Sequence, residues 1–176
     1  MRTVSERRAR RQVDSHAGAL KTRRDEAHLK SKSRFADDVL RALRDGKILG
    51  IRAGTGPHRV IGIWVVVVES RVFVRSWSLG AGGWYRTLVE EPRGVISVEG
   101  RELPVRAVRT RSERLMDAID LAYRAKYHTP GSVKYVRDLC RPKCRASTTE
   151  LVPRPPVRVS TASRRGSGKP APRARP

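Results

Sequence analysis

The apolar residues between positions 35 and 153 follow two different spacings, one typical of helices and one typical of strands. Apolar residues that recur every three or four positions predict amphipathic helices, each with one face for a core. Four helices are predicted. The first lies between a cap at Ser33 and a stop at Gly46, and the second spans 84–91. The third follows the capping-box spacing of 110–113, and the fourth spans 132–140. We therefore expect short helices that pack against a larger structure.

Six further segments have the alternation or the β-branched composition of strands. They are residues 47–53, 59–69, 72–78, 94–99, 102–109 and 145–152. The run from Ile61 to Val68 is apolar on both faces, which predicts a central strand. Short turns join most of the strands, so hairpins are favoured over alternating strand–helix units. The pattern predicts an α+β, mainly β fold: a six-stranded antiparallel barrel with helices packed outside.

Charge separates this region from the two ends of the chain. The sequence has 39 Lys+Arg and 17 Asp+Glu among 176 residues, a formal net charge of +22. Both ends are rich in basic residues and poor in large apolar ones, so they cannot bury enough surface to offset the entropy of ordering. We expect a disordered basic arm at 1–34, one barrel domain at 35–153 and a disordered Pro/Arg-rich tail at 154–176.

Several functional classes are disfavoured by the sequence. No apolar run approaches the roughly 20 residues of a membrane-spanning helix, and no apolar stretch of a secretory signal follows the basic N-terminus. A cytoplasmic protein with no membrane partner is therefore expected. Cys140 and Cys144 lack a second Cys or His pair at ligand spacing, so no metal site is predicted. No nucleophile elbow, Walker loop or glycine fingerprint is present, and no catalytic residue is predicted.

Basic and hydroxyl side chains near strand and helix ends are the candidate binding residues. Arg59 follows the Gly54–Gly56 turn, Arg75 and Ser76 lie near a strand end, and Trp84-Tyr85-Arg86 follows the glycine loop at 80–83. Guanidinium groups, hydroxyls and open backbone amides can hold a phosphate, and neighbouring tryptophans can flank a planar ring. These positions predict contact with a small anionic cofactor. The alternative is a polar barrel rim in which the glycines only form turns and the tryptophans pack.

The segment 84–92 has the sequence Trp-Tyr-Arg-Thr-Leu-Val-Glu-Glu-Pro, which resembles the W-Y-x-N-L-x-x-N-P segment of deazaflavin-dependent nitroreductases. Thr87 and Glu91 stand at the two asparagine positions. Gly56-Pro57-His58-Arg59 resembles the end of the glycine-basic turn of these proteins, G-x-x-R. The region from Ile48 to Ala107 thus resembles the flavin-binding split-barrel superfamily, which includes pyridoxamine-phosphate-oxidase-like proteins. The whole of 35–153 also resembles an uncharacterised bacterial family.

The superfamily resemblance implies a six-stranded split barrel, commonly homodimeric, that holds FMN or 8-hydroxy-5-deazaflavin near the barrel rim. Carried over by position, Arg59 contacts the phosphate-bearing tail of the cofactor, and Trp84 and Tyr85 shape the pocket for the ring. The implied activity is hydride transfer of the nitroreductase type. The cofactor supplies that chemistry, while the protein supplies orientation and excludes water.

A second hypothesis rests on charge alone. A net charge of +22 with two flexible basic arms favours non-specific, salt-dependent binding of nucleic acid or another polyanion. The arms lack interleaved aromatic residues, so stacking on single strands is not predicted for them. A third hypothesis is an uncharacterised domain without a cofactor, in which the tails only keep the protein in solution.

Overall fold

The structure is a computed structural model that describes residues 34–154. Its strands are β1 (Leu49–Ala53), β2 (Ile61–Ile63), β3 (Val65–Val68), β4 (Arg71–Val74), β5 (Arg93–Val98), β6 (Arg101–Arg109) and β7 (Thr149–Pro153). Its helices are α1 (Asp37–Asp45), α2 (Trp84–Glu90), α3 (Glu113–Lys126), α4 (Pro130–Leu139) and α5 (Pro142–Arg145). No helix in 34–154 is long and apolar enough to cross a membrane. The disorder predicted for the basic arm and the tail concerns residues outside the described range.

The seven strands form one antiparallel sheet in the order β2-β1-β5-β6-β7-β4-β3. The two ends of this order, β2 and β3, are consecutive in sequence and are separated by Trp64 alone. The sheet therefore curls into a nearly closed barrel. This confirms the prediction of a mainly β, antiparallel barrel with helices, but the predicted number of six strands is wrong.

The seventh strand arises because the predicted strand 59–69 divides at Trp64. Its first half pairs with β1, with Leu49 opposite Ile63, and its second half pairs with β4, with Val65 opposite Val74. Two side chains at the C-terminal end of α3, Lys126 and its neighbour Tyr127, hold the backbone at the division. The Val65 amide donates to the Tyr127 hydroxyl at 3.0 Å, and the Val65 carbonyl accepts from the Lys126 ammonium at 2.9 Å. One apolar run therefore supplies both edges of the barrel.

Two element boundaries also differ from the predictions. The chain from Pro142 to Arg145 forms α5, and β7 begins only at Thr149, so the predicted strand 145–152 is wrong in its first half. Helix α1 begins at Asp37, with Ala36 in the N-cap position, so the predicted cap at Ser33 is also wrong. Two acidic residues in the first turn of α1 complement the positive end of its dipole without a side-chain cap.

Apolar side chains form two clusters, one on each side of the sheet. The cluster inside the barrel combines alternate residues of the strands with three residues of α1, namely Val39, Leu40 and Leu43. The second cluster lies outside β3 and β4, where Val66 and Phe73 meet the inner faces of α3 and α4. Helices α3 to α5 thus cover one wall of the barrel from outside, which agrees with the prediction of helices packed outside the barrel.

The side chain of Lys126 makes the stability of the protein at this wall depend on pH. Its ammonium donates to the carbonyls of Leu43 at 2.6 Å and Val65 at 2.9 Å, in a half-buried position. Burial lowers the pKa of Lys126 to about 8 from its usual 10.5.

Wild-type protein should gain stability from Lys126 as the pH rises from about 8 to 10.5. In that window the unfolded chain binds more protons at this residue than the folded chain does, so the free energy of unfolding increases with pH. The expected contribution is on the order of 1 kcal/mol, because the side chain is partly screened by solvent. Urea denaturation at several pH values should show a steeper rise for the wild type than for Lys126→Met. The exposed Lys134→Met is the control, and equal slopes in wild type and Lys126→Met would contradict the assignment.

Candidate functional site

A cavity of about 320 Å³ lies between the end of β1, the turn that follows it and the start of α2. Its lining residues are Ile51, Ala53, His58, Arg59, Ile61, Gly82, Gly83, Trp84 and Thr87. The volume falls at the lower end of the range of about 300–1,000 Å³ that is typical of small-molecule sites. The strands contribute an apolar floor, and the turn and the glycine loop contribute the rim.

The turn from Gly54 to Gly56 is fastened to the end of α2 by one carboxylate. Glu91 accepts hydrogen bonds from the Thr55 amide at 3.1 Å and from the Thr55 hydroxyl at 2.9 Å. It also accepts from the Arg93 guanidinium at 2.5 Å, and the Gly54 amide donates to the Arg93 carbonyl at 2.7 Å. The hydrogen bonds from Thr55 and then from Arg93 hold the pKa of Glu91 below its usual value, so the carboxylate stays charged near neutral pH.

The two positions that depart from the nitroreductase motif both serve this turn. Glu91 binds it directly, and the Thr87 methyl lies 3.0 Å from the point that a Cβ on Gly54 would occupy. Gly54 has a φ of +75°, which favours glycine, and it permits this close approach of α2. The sequence marked Thr87 and Glu91 only as replacements for asparagine and gave no sign of their shared contact.

The basic side of the rim consists of His58 and Arg59, both exposed and both just after the turn. The His58 amide donates to the Gly56 carbonyl at 2.8 Å, which makes the turn tight. Arg59 was predicted to contact a cofactor phosphate, and the structure places it on the cavity. His58 was not among the candidate binding residues. Its place beside Arg59 in the Gly-Pro-His-Arg sequence was the signal that could have identified it.

The three residues predicted at the start of α2 have different positions. Trp84 lines the cavity. Tyr85 is buried and meets Trp84 edge to face, with ring centroids 6.2 Å apart, so it supports Trp84 from behind. Tyr85 itself lines a separate hollow of about 110 Å³ on the other side of α2. Arg86 is exposed and lies outside the lining of the cavity.

Arg75 and Ser76 lie away from the cavity, in the joint between β4 and the outer helices. The Arg75 guanidinium is fully buried, forms an ion pair with Asp120, and donates to the Thr148 hydroxyl at 2.9 Å. It also donates to the carbonyls of Leu139 at 3.0 Å and Met116 at 3.3 Å. The Ser76 hydroxyl donates to a nearby backbone carbonyl at 2.6 Å. All these bonds stay within the protein, so neither side chain is directed to a ligand in the cavity.

The chemistry of the cavity suits a planar ring that carries an anionic group. Ile51, Ala53 and Ile61 can contact an apolar ring, and Trp84 can lie beside it. Gly82 and Gly83 have no side chains, so a ligand can approach the backbone closely there. The Arg59 guanidinium and the His58 ring supply hydrogen-bond donors for a phosphate. Within residues 34–154, no group of three or more Cys, His, Asp or Glu could hold a metal ion.

Comparison with known proteins gives one family and several distant structural neighbours. The family described as "Uncharacterized protein conserved in bacteria (DUF2255)" matches residues 38–151. Among curated proteins, no match was found. The conserved hypothetical protein Rv2991 from Mycobacterium tuberculosis is 9% identical with a TM-score of 0.43, over 69% of this chain and 81% of its own. A pyridoxamine 5′-phosphate oxidase-like protein from Listeria innocua is 10% identical with a TM-score of 0.44, over 68% and 92%.

These findings confirm the resemblance to an uncharacterised bacterial family, because the match covers nearly all of the described domain. The structural neighbours are too distant to assign a ligand or a residue role to this chain, since their identities are 9% and 10%.

Proposed function

The chain belongs to the DUF2255 family of bacterial proteins, and we propose that its barrel binds a planar, anionic cofactor of the flavin type. The cofactor is FMN or 8-hydroxy-5-deazaflavin, and the site is the cavity beside α2. One observation carries the proposal: Arg59 and Trp84, which the nitroreductase-like motifs single out, line the same cavity over an apolar floor. The two residues are 25 positions apart in sequence. Their proximity in the fold therefore supports the proposal independently of the motif comparison.

Each part of the cavity has a role in this proposal. The apolar floor and Trp84 contact the ring and exclude water from it, whereas Arg59 and His58 bind the phosphate-bearing tail. Glu91 holds the turn that carries these two basic residues, so it is a positioning residue that does not itself meet the anion. A bound flavin or deazaflavin would supply hydride transfer. An oxidoreductase of the nitroreductase type is the activity that this chemistry favours.

The test is a titration of the full chain with FMN and with the deazaflavin, followed by cofactor fluorescence at moderate salt. Arg59→Ala should weaken binding by about tenfold or more, because a charge-assisted hydrogen bond to phosphate contributes about 1.5–3 kcal/mol. Trp84→Ala should also weaken binding, through loss of the ring contact. Arg86→Ala is the matched control, since it removes the same charge from a neighbouring exposed position outside the cavity.

The two ways in which this test can fail have different meanings. Absence of binding to either compound would overturn the flavin proposal. Equal losses of affinity in Arg59→Ala and Arg86→Ala would show that binding depends on the overall positive charge of the protein and not on the cavity. If one cofactor binds and Arg86→Ala is unaffected, turnover of a nitro compound with the reduced cofactor separates an enzyme from a binding protein. The homodimer implied by the superfamily stays a prediction.

A further inference from the structure

Three aromatic side chains form a packed cluster on the outer wall of the barrel, away from the cavity. Trp64, Trp77 and Tyr135 meet edge to face, with ring centroids 5.3, 5.8 and 6.3 Å apart. Trp64 also stacks on Tyr127, the residue that follows α3, at 4.2 Å, with an angle of only 5° between the rings. These contacts fix the orientation of the three rings, which we call the aromatic patch.

The outer members of the aromatic patch are open to solvent. Trp77 is 41% exposed and Tyr135 is 44% exposed. A contiguous group of exposed large apolar side chains usually marks a site of interaction. None of the residues that line the cavity belongs to this group, so the patch has a different role from the proposed flavin site.

The surroundings of the aromatic patch are basic. Lys134 and Arg137 are exposed one turn apart on α4, and exposed Arg141 and Lys143 follow between α4 and the start of α5. Lys134 places its ammonium 4.9 Å from the centroid of the Tyr135 ring. The one acidic residue of this stretch, Asp138, is paired with Arg141 at 3.4 Å. The partner of this surface should therefore carry negative charge close to flat, apolar groups.

We propose that the aromatic patch is a stacking platform for single-stranded nucleic acid. Bases stack on the exposed faces of Trp77 and Tyr135, and the adjoining phosphates meet Lys134 and Arg137. The rest of the chain supports the same partner, because its net charge of +22 attracts a polyanion over a long range. The basic arm and tail lack aromatic residues, whereas this patch of the folded domain supplies them.

Two other partners fit the aromatic patch less well, a second copy of this chain because of charge and duplex nucleic acid because of base stacking. A second copy bound through the same patch would bring Lys134 and Arg137 of both copies face to face, because a twofold contact is self-complementary. Duplex nucleic acid keeps its bases stacked on one another, so flat rings on a protein surface cannot reach their faces. Single strands leave the bases free to stack on protein.

The experiment measures binding of the full chain to a labelled oligodeoxythymidine of about 15 nucleotides, with a duplex of equal length in parallel. The single strand should bind more tightly than the duplex at the same salt concentration. Trp77→Ala and Tyr135→Ala should each reduce affinity for the single strand by about tenfold, with little change for the duplex. Trp77→Phe and Tyr135→Phe should retain most of the affinity, because they keep a ring.

Leu121→Ala is the matched control, since Leu121 is a large apolar side chain that is 68% exposed on α3, outside the patch. Far-ultraviolet circular dichroism checks that each variant is folded, and Tyr135→Ala tests the proposal even if Trp77→Ala does not fold. Equal affinity for single strand and duplex, unaltered by either substitution, would overturn the proposal in favour of binding through the basic tails. So would a patch variant that changes the mass of the protein by light scattering but not its affinity for the single strand.

Discussion

Replacement of Arg75 by methionine should reduce the free energy of unfolding by about 3 kcal/mol or more. The guanidinium is fully buried and pairs with Asp120, which is itself only 14% exposed at its side chain. It also satisfies the Thr148 hydroxyl and the carbonyls of Leu139 and Met116. Methionine fills a similar volume but donates no hydrogen bond, so those buried acceptors lose a partner. Urea denaturation at neutral pH measures the change.

The same variant separates a structural role for Arg75 from the cofactor contact that its sequence position suggested. Arg86→Met, at an exposed position, should change the stability by less than about 0.5 kcal/mol and serves as the control. The folded fraction of Arg75→Met should bind the cavity ligand as the wild type does. Wild-type stability together with lost ligand binding would contradict the structural role and support the sequence-based one.

Arg75 shows why position in a strand was a poor guide to function. A charged residue near a strand end is exposed in most barrels, and nothing in the neighbouring sequence signals burial. Its partners Asp120 and Thr148 are 45 and 73 residues away along the chain. Local patterning carries no information about such contacts, whereas the Trp84 motif and the basic turn before Arg59 are local and could be identified.

The same limit explains the number of strands. Alternation located β1, β4, β5 and β6 within a few residues, because each pairs with neighbours over one continuous stretch. The run 59–69 is also correctly strand-like, but pattern alone does not show that its two halves pair with different strands. The division at Trp64 depends on Lys126 and Tyr127, which are about sixty residues later in the chain.

Gly54→Ala should destabilise the protein by about 2–3 kcal/mol and weaken ligand binding in the cavity. The left-handed φ of +75° costs about 1–2 kcal/mol for a residue with a Cβ. The new methyl would also lie 3.0 Å from Cγ2 of Thr87 and 3.5 Å from the ring of His58, both of which line the cavity. Thr87 must move by a few tenths of an ångström to relieve its contact, whereas the distance to His58 is an ordinary van der Waals contact, so the wall of the cavity shifts at Thr87. Urea denaturation and the flavin titration measure the two effects.

Gly100→Ala separates the effect of backbone strain from that of crowding. Gly100 has the same φ of +75°, but no atom lies within 4 Å of the position of its Cβ, so only the backbone term applies. The additional loss in Gly54→Ala is therefore the cost of crowding the new methyl against Thr87 of α2. Combining Gly54→Ala with Thr87→Ser should recover part of that loss, because serine removes the crowded methyl and keeps the hydroxyl that donates to the Gly83 carbonyl. Equal destabilisation in the two glycine variants, with no recovery in the double variant, would show that α2 does not pack on the turn as described.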